Sequence, residues 1–141
     1  MTLRQLRSLG EKWIERLRLQ DWNITFRFAT KEESKEAWGL AFRDHHDKAA
    51  TIVIVNPSDP AWSSGDHHRD PEVILLHELM HVHFAPFAFR IGSPQHTTEE
   101  NIVNQVARLL VALERGDEGI INGGRPLSKR ARIPAWVDAD K

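Results

Sequence analysis

Along the first seventeen residues the apolar positions recur every three or four: Leu3, Leu6, Gly10, Trp13, Ile14 and Leu17. Arg4, Arg7, Glu11, Lys12, Glu15, Arg16 and Arg18 fill the places around them. This period predicts an amphipathic helix lying on a core, with its basic side in solvent. From Trp22 the period changes to two. Trp22, Ile24, Phe26 and Phe28 alternate with Asn23, Thr25 and Arg27, which predicts a strand with one buried face. After a charged connection, Lys31 to Glu36, a second strand is read from Trp38, Leu40 and Phe42, with Gly39 and Ala41 opposite them. A third is read from the β-branched run Thr51 to Val55. The polar stretch Arg43 to Lys48 joins the last two as a hairpin, and its Asp44, His45, His46 and Asp47 read as a solvated turn.

Asn56-Pro57 closes the third strand, and residues 58 to 69 read as a loop. Asp70-Pro71-Glu72 has the features of a helix start: a capping aspartate, proline in the first turn and an acid beside it. The helix is expected to run to about Ala85 and stop at Pro86. Thr97-Thr98-Glu99-Glu100 then opens another, through Ile102, Val103, Val106, Leu109, Leu110 and Leu113 to Arg115, with Gly116 as its stop. Together these predict an α+β domain over residues 1–115 with a mainly antiparallel three-stranded sheet. Residues 116–141 form a loosely structured C-terminal extension, which Trp136 and Val137 could dock.

The helix from Val73 to Phe84 is apolar almost all round. Its polar exception is one arc of about 100° holding His77, Glu78 and His81. Buried polar groups need partners, and histidines four apart can present both imidazoles to one metal ion. Glu78, one position round, can reach a water beside that metal. This is the HExxH pattern of two zinc ligands and a general base; His83 lies off the arc.

Cysteine is absent, so any metal must be held by His, Asp or Glu. A catalytic zinc site needs a third protein ligand. The continuation HExxHxxGxxH fails, because Phe84 and Phe87 occupy its glycine and histidine positions. The acid is therefore sought on the next helix. Glu100 is preferred, since Asn104 one turn on could hydrogen-bond the far nitrogen of a ligand histidine. Glu99, aligned with Val103, points closer to the middle of the apolar stripe and stands as the alternative. Thr97 and Glu100 also fit a capping box, an account of Glu100 that requires no metal.

His77-Glu78-Leu79-Met80-His81 followed by Glu100-Asn-Ile-Val-Asn104-Gln-Val-Ala107 resembles the gluzincins, the thermolysin-like HExxH…E metallopeptidases. It is nearest the ImmA/IrrE group, with Val103 and Val106 replacing that group's alanine and phenylalanine. The resemblance implies a compact zincin-like fold, Zn²⁺ held by His77, His81 and Glu100, Glu78 as base, and a peptide or protein substrate. Proteins of this kind occur in phages and bacterial mobile elements. A substrate peptide is expected to pair with the third strand as a sheet edge. The chain has no tyrosine to stabilise an oxyanion, which leaves His96, then His67 or His68, as candidate donors.

A formal charge of −1 makes nucleic acid an unlikely partner despite the basic first helix and Lys129 to Arg132. No run is long and apolar enough to span a membrane, and no signal-peptide core follows the N-terminus, so a cytoplasmic location is expected. The competing reading keeps the metal site but makes the fold a regulatory or protein-binding module without catalysis.

Overall fold

The computed structural model describes residues 1–63 and 69–116. His67, His68, Trp136, Val137 and the basic stretch Lys129 to Arg132 lie outside the described residues, as does the extension beyond Gly116. Among the described residues the fold is α+β, with three α-helices and one mixed three-stranded sheet.

Helix α1 (Leu3–Arg16) begins in a capping box. Thr2 Oγ1 accepts from the Gln5 backbone, and the Gln5 side chain accepts from the Thr2 amide. Its buried residues are Leu6, Gly10 and Trp13. Gly10 faces β1 (Asn23–Ala29) so closely that a Cβ there would lie 2.2 Å from the Phe26 ring. Strands β2 (Gly39–Asp44) and β3 (Ala49–Val55) form the expected hairpin, and its turn, including His45 and His46, is exposed.

Two sheet expectations are corrected. The strand order is β1-β3-β2, with β1 parallel to β3 and β2 antiparallel to it, so the sheet is mixed rather than mainly antiparallel. Strand β3 is central, and the edges are β1 and β2. The physical reason lies in the run Ile52-Val53-Ile54-Val55, which is at most 1% exposed. Both faces of such a strand are buried, as suits a middle position rather than an edge.

Register places Ile24, Phe26 and Phe28, then Ala50, Ile52 and Ile54, then Gly39, Ala41 and Arg43 on one face. Helix α2 (Pro71–His83) packs on β2 and β3. Asp70 caps it by accepting from Glu72 N. Buried Glu72 joins the helices, accepting from Lys12 Nζ at 2.6 Å and Trp13 Nε1 at 2.8 Å. The α-helix ends at His83 rather than Ala85, because residues Ala85–Phe87 tighten into a 3₁₀ turn.

Helix α3 (Pro94–Arg115) starts three residues earlier than its sequence pattern suggests. Ser93 is the cap: its Oγ accepts from His96 N at 3.1 Å. Thr97 therefore lies inside the helix, and the capping-box account of Glu100 does not apply. The chain divides into compact units of Met1–Ala107 and Arg108–Lys141. The first contains the sheet, α1, α2 and the first turns of α3.

Candidate metal centre

Because His77 and His81 are one helical turn apart, their rings meet on one side of α2, with Nε2 atoms 3.1 Å apart and ring planes inclined at 69°. Glu78 is buried beside them. The ligand atoms of His77, Glu78 and His81 all lie within 4.8 Å of one another, so these three can hold a metal ion.

A second carboxylate also reaches the two histidines. Glu100, on the second turn of α3, places Oε1 3.0 Å from His81 Nε2 and Oε2 3.5 Å from His77 Nε2. Zinc–ligand bonds of about 2.0–2.1 Å in a tetrahedron put neighbouring donors roughly 3.3 Å apart. The separations run from 3.0 to 3.5 Å, close to that value, with His81 and His77 facing different oxygens of the Glu100 carboxylate. Glu78 is less suited to be a ligand, since its Oε1 is 3.9 Å from His77 Nε2 and it is boxed against Gly39. Two imidazole nitrogens and a carboxylate this close need a shared proton or a cation between them. The donor set of nitrogen and oxygen suits Zn²⁺.

The far nitrogen of His81 identifies a partner that sequence reasoning assigned elsewhere. His81 Nδ1 lies 2.9 Å from Glu99 Oε1, whereas Asn104 is exposed. Glu99, not Asn104, supports the histidine. The residue pointing into the apolar stripe is the right one because His81 is itself buried, so its far nitrogen points inward too. Arg43 completes the group. Its Nη1 donates to Glu99 Oε1 at 2.9 Å and also to the backbone carbonyl of His81. Read from sequence, Arg43 belongs to the polar turn. Its signal was register: it continues the inward set Gly39, Ala41 and Arg43, and an inward arginine requires a buried acid.

His96 stands in the first turn of α3, one turn before Glu100, with Nε2 4.0 Å from Glu100 Oε1. It faces the same cluster. His83 is exposed.

Charge at the centre is uneven. Burial, reinforced by the nearby Glu100 carboxylate and opposed by Arg43, pushes the metal-free Glu78 up to about 8. Burial would also raise Glu99, but hydrogen bonds and charge from Arg43 and His81 outweigh it and hold that carboxyl below its ordinary range. Two glutamates in one site are thus set apart: one prone to carry a proton, the other held ionised.

No family model, curated protein or solved structure matches the chain. Among the described residues, no helix is long and apolar enough to cross a membrane.

Proposed function

We propose that the protein is a zinc-dependent peptidase of gluzincin type, nearest in design to the ImmA/IrrE group. The observation that carries this reading is the meeting of His77 Nε2, His81 Nε2 and the Glu100 carboxylate at 3.0 to 3.5 Å, with a buried glutamate alongside. His77, His81 and Glu100 are the metal ligands. When bound there, Zn²⁺ supplies Lewis acidity, polarising a peptide carbonyl, making a water more acidic and favouring the ionised form of Glu78.

The remaining chemistry belongs to the chain. Glu78 takes a proton from the attacking water as the new C–O bond forms, then delivers it to the amine as the C–N bond breaks. Gly39 leaves room for that carboxylate beside the sheet. Strand β2, an edge strand packed on α2, offers its unpaired backbone groups to an extended peptide. His96, on the Glu100 side of the cluster, donates to the carbonyl oxygen as it gains charge.

Zinc analysis and cleavage of a diverse peptide mixture by wild type and Glu78→Gln test this function. Both proteins should hold one zinc per chain, and only wild type should cleave. A wild type that retains no stoichiometric zinc overturns the metal reading. Zinc-loaded protein that cleaves nothing turns the assignment to a metal-bearing binding module.

A further inference from the structure

We infer that Phe42 determines substrate specificity: on the open edge of β2 its ring lies beside one residue of an extended peptide and selects an aromatic or β-branched side chain there. The role in cleavage rests on the function proposed above; the peptide contact does not.

Backbone hydrogen bonds fix which groups the edge offers. Val55 N donates to Trp38 O at 3.0 Å, on the β2 side of β3, and Asn56 N donates to Ala29 O at 2.9 Å, on the β1 side. Opposed residues of an antiparallel pair alternate between hydrogen-bonded and non-bonded pairs. Gly39 is opposite Ile54, which puts Trp38 opposite Val55 in a bonded pair, so Leu40 and Phe42 bond to β3 as well. The N–H and C=O groups of Gly39, Ala41 and Arg43 therefore point away from β3. Among the described residues no backbone group meets them. The same three positions face α2: Gly39 touches Glu78, and Arg43 donates to Glu99 and to the His81 carbonyl. A peptide bonded to this edge is thereby held alongside the candidate metal centre.

Side chains of the added strand alternate between faces as those of β2 do. Peptide residues level with Gly39, Ala41 and Arg43 fall on the α2 face, and those level with Leu40 and Phe42 on the other. On that outer face Phe42 is 55% exposed. Its neighbour within the sheet is Thr51, whose hydroxyl is tied to that of Thr25 at 3.1 Å, so the ring gains little apolar surface from β3. A peptide residue level with Phe42 stands in a non-bonded pair, the kind whose side chains approach most closely. Aromatic and β-branched side chains pair best with a ring in that place.

The two edges of the sheet differ in a way that singles out β2. Edge strands are commonly guarded against pairing by charged or polar side chains. The outer face of β1 presents Asn23, Thr25 and Arg27, all exposed. The outer face of β2 presents Leu40 and exposed Phe42 before its last residue, Asp44, while its cation Arg43 is turned to the other face.

The test maps the cuts made in a diverse peptide mixture by the full chain with zinc supplied, for wild type, Phe42→Thr and Phe42→Leu. Threonine keeps the preference for a strand, and the ring lies on the sheet face away from the ligands, so all three should hold zinc alike. Wild type should favour aromatic or β-branched residues over serine about fivefold at one fixed position near the cut. Phe42→Thr should lose that preference at that position alone, and Phe42→Leu should keep part of it. A wild type with no such position, or an unchanged preference in Phe42→Thr, overturns the inference. A second measurement needs no cleavage. Glu78→Gln, alone and combined with Phe42→Thr, is titrated with two end-blocked heptapeptides, one alternating valine with threonine and the other serine with threonine. The single variant should bind the valine peptide about fivefold more tightly, and the double variant should bind both alike. If wild type cleaves nothing yet this difference appears, the peptide contact stands and the peptidase reading alone falls. If neither cleavage nor the difference appears, the inference falls too. Gel filtration in which Phe42→Thr turns a dimer into a monomer, with peptide preference unchanged, also overturns it and assigns the edge to a second copy.

Discussion

Gly39 and Glu78 are in such close contact that a Cβ on Gly39 would lie 2.6 Å from Glu78 Oε1, and 2.9 Å from Ile74 Cγ2. The edge strand can approach α2 this closely only where it has no side chain. Gly39→Ala should therefore push β2 and α2 apart, or drive the Glu78 carboxylate from its place. Overpacking of this kind costs about 1–3 kcal/mol. A displacement near 1 Å of a reacting group can lower the rate roughly 100-fold. A melting curve and kcat/KM measured with zinc supplied check both; an alanine variant with wild-type values in each would refute the tight-contact argument.

Stability of the metal-free protein should fall as pH rises through neutrality, and Glu78 should be a cause. Its ordinary value is 4.5, and burial first, then Glu100, pushes it to about 8 in the fold. Between those values the folded chain keeps a proton that the unfolded chain has released, so raising the pH favours unfolding. The slope is at most roughly 1.4 kcal/mol per pH unit. Below the lower value both states are protonated and the penalty vanishes; above the upper value it is complete. Glu78→Gln removes this group while other titrations continue in both proteins. Urea midpoints of the chelator-treated pair, taken from pH 5 to 8, should diverge in favour of the variant as pH rises. Parallel curves would contradict the shift.

Loss of the Glu100 carboxylate should weaken zinc binding by more than the ~10–100-fold expected for an outer-shell partner. Asn104→Ala should leave the affinity unchanged, since Asn104 is exposed and Glu99 occupies the far nitrogen of His81. Competition with a coloured chelator measures both. The reverse order of effects would overturn both the assignment of Glu100 as ligand and the exclusion of Asn104 from the centre.

Glu72 offers a contrast, because it ties α1 to α2 without touching the candidate ligands. Glu72→Ala removes the acceptor of Trp13 Nε1 and of Lys12 Nζ. A buried donor left unpaired costs about 1–3 kcal/mol. Chemical denaturation should register that loss, while zinc stoichiometry at low temperature stays at the wild-type value. A stability loss accompanied by an equal fall in zinc content would show that the tie also shapes the centre.

By itself the sequence determined the elements and the grouping of His77, Glu78 and His81 that could hold a metal ion. The 3.6-residue and two-residue periods marked three helices and three strands, since those periods follow from local backbone geometry. The HExxH spacing placed His77 and His81 on one helical face for the same reason. Local pattern also singled out Glu100, although α3 starts at Pro94 rather than Thr97 because Ser93, directly before Pro94, makes the cap.

What tertiary structure alone decided involves residues far apart in the chain. The parallel pairing of β1 with β3 joins strands separated by the whole of β2, and no local period encodes which strand lies in the middle. The exchange of Asn104 for Glu99 followed from the direction of His81's far nitrogen, set by packing of α2 against the sheet. Arg43 joined the centre through a contact spanning 56 residues. Its register on β2 aims it inward, and burial of Glu99 then requires the charge that Arg43 supplies.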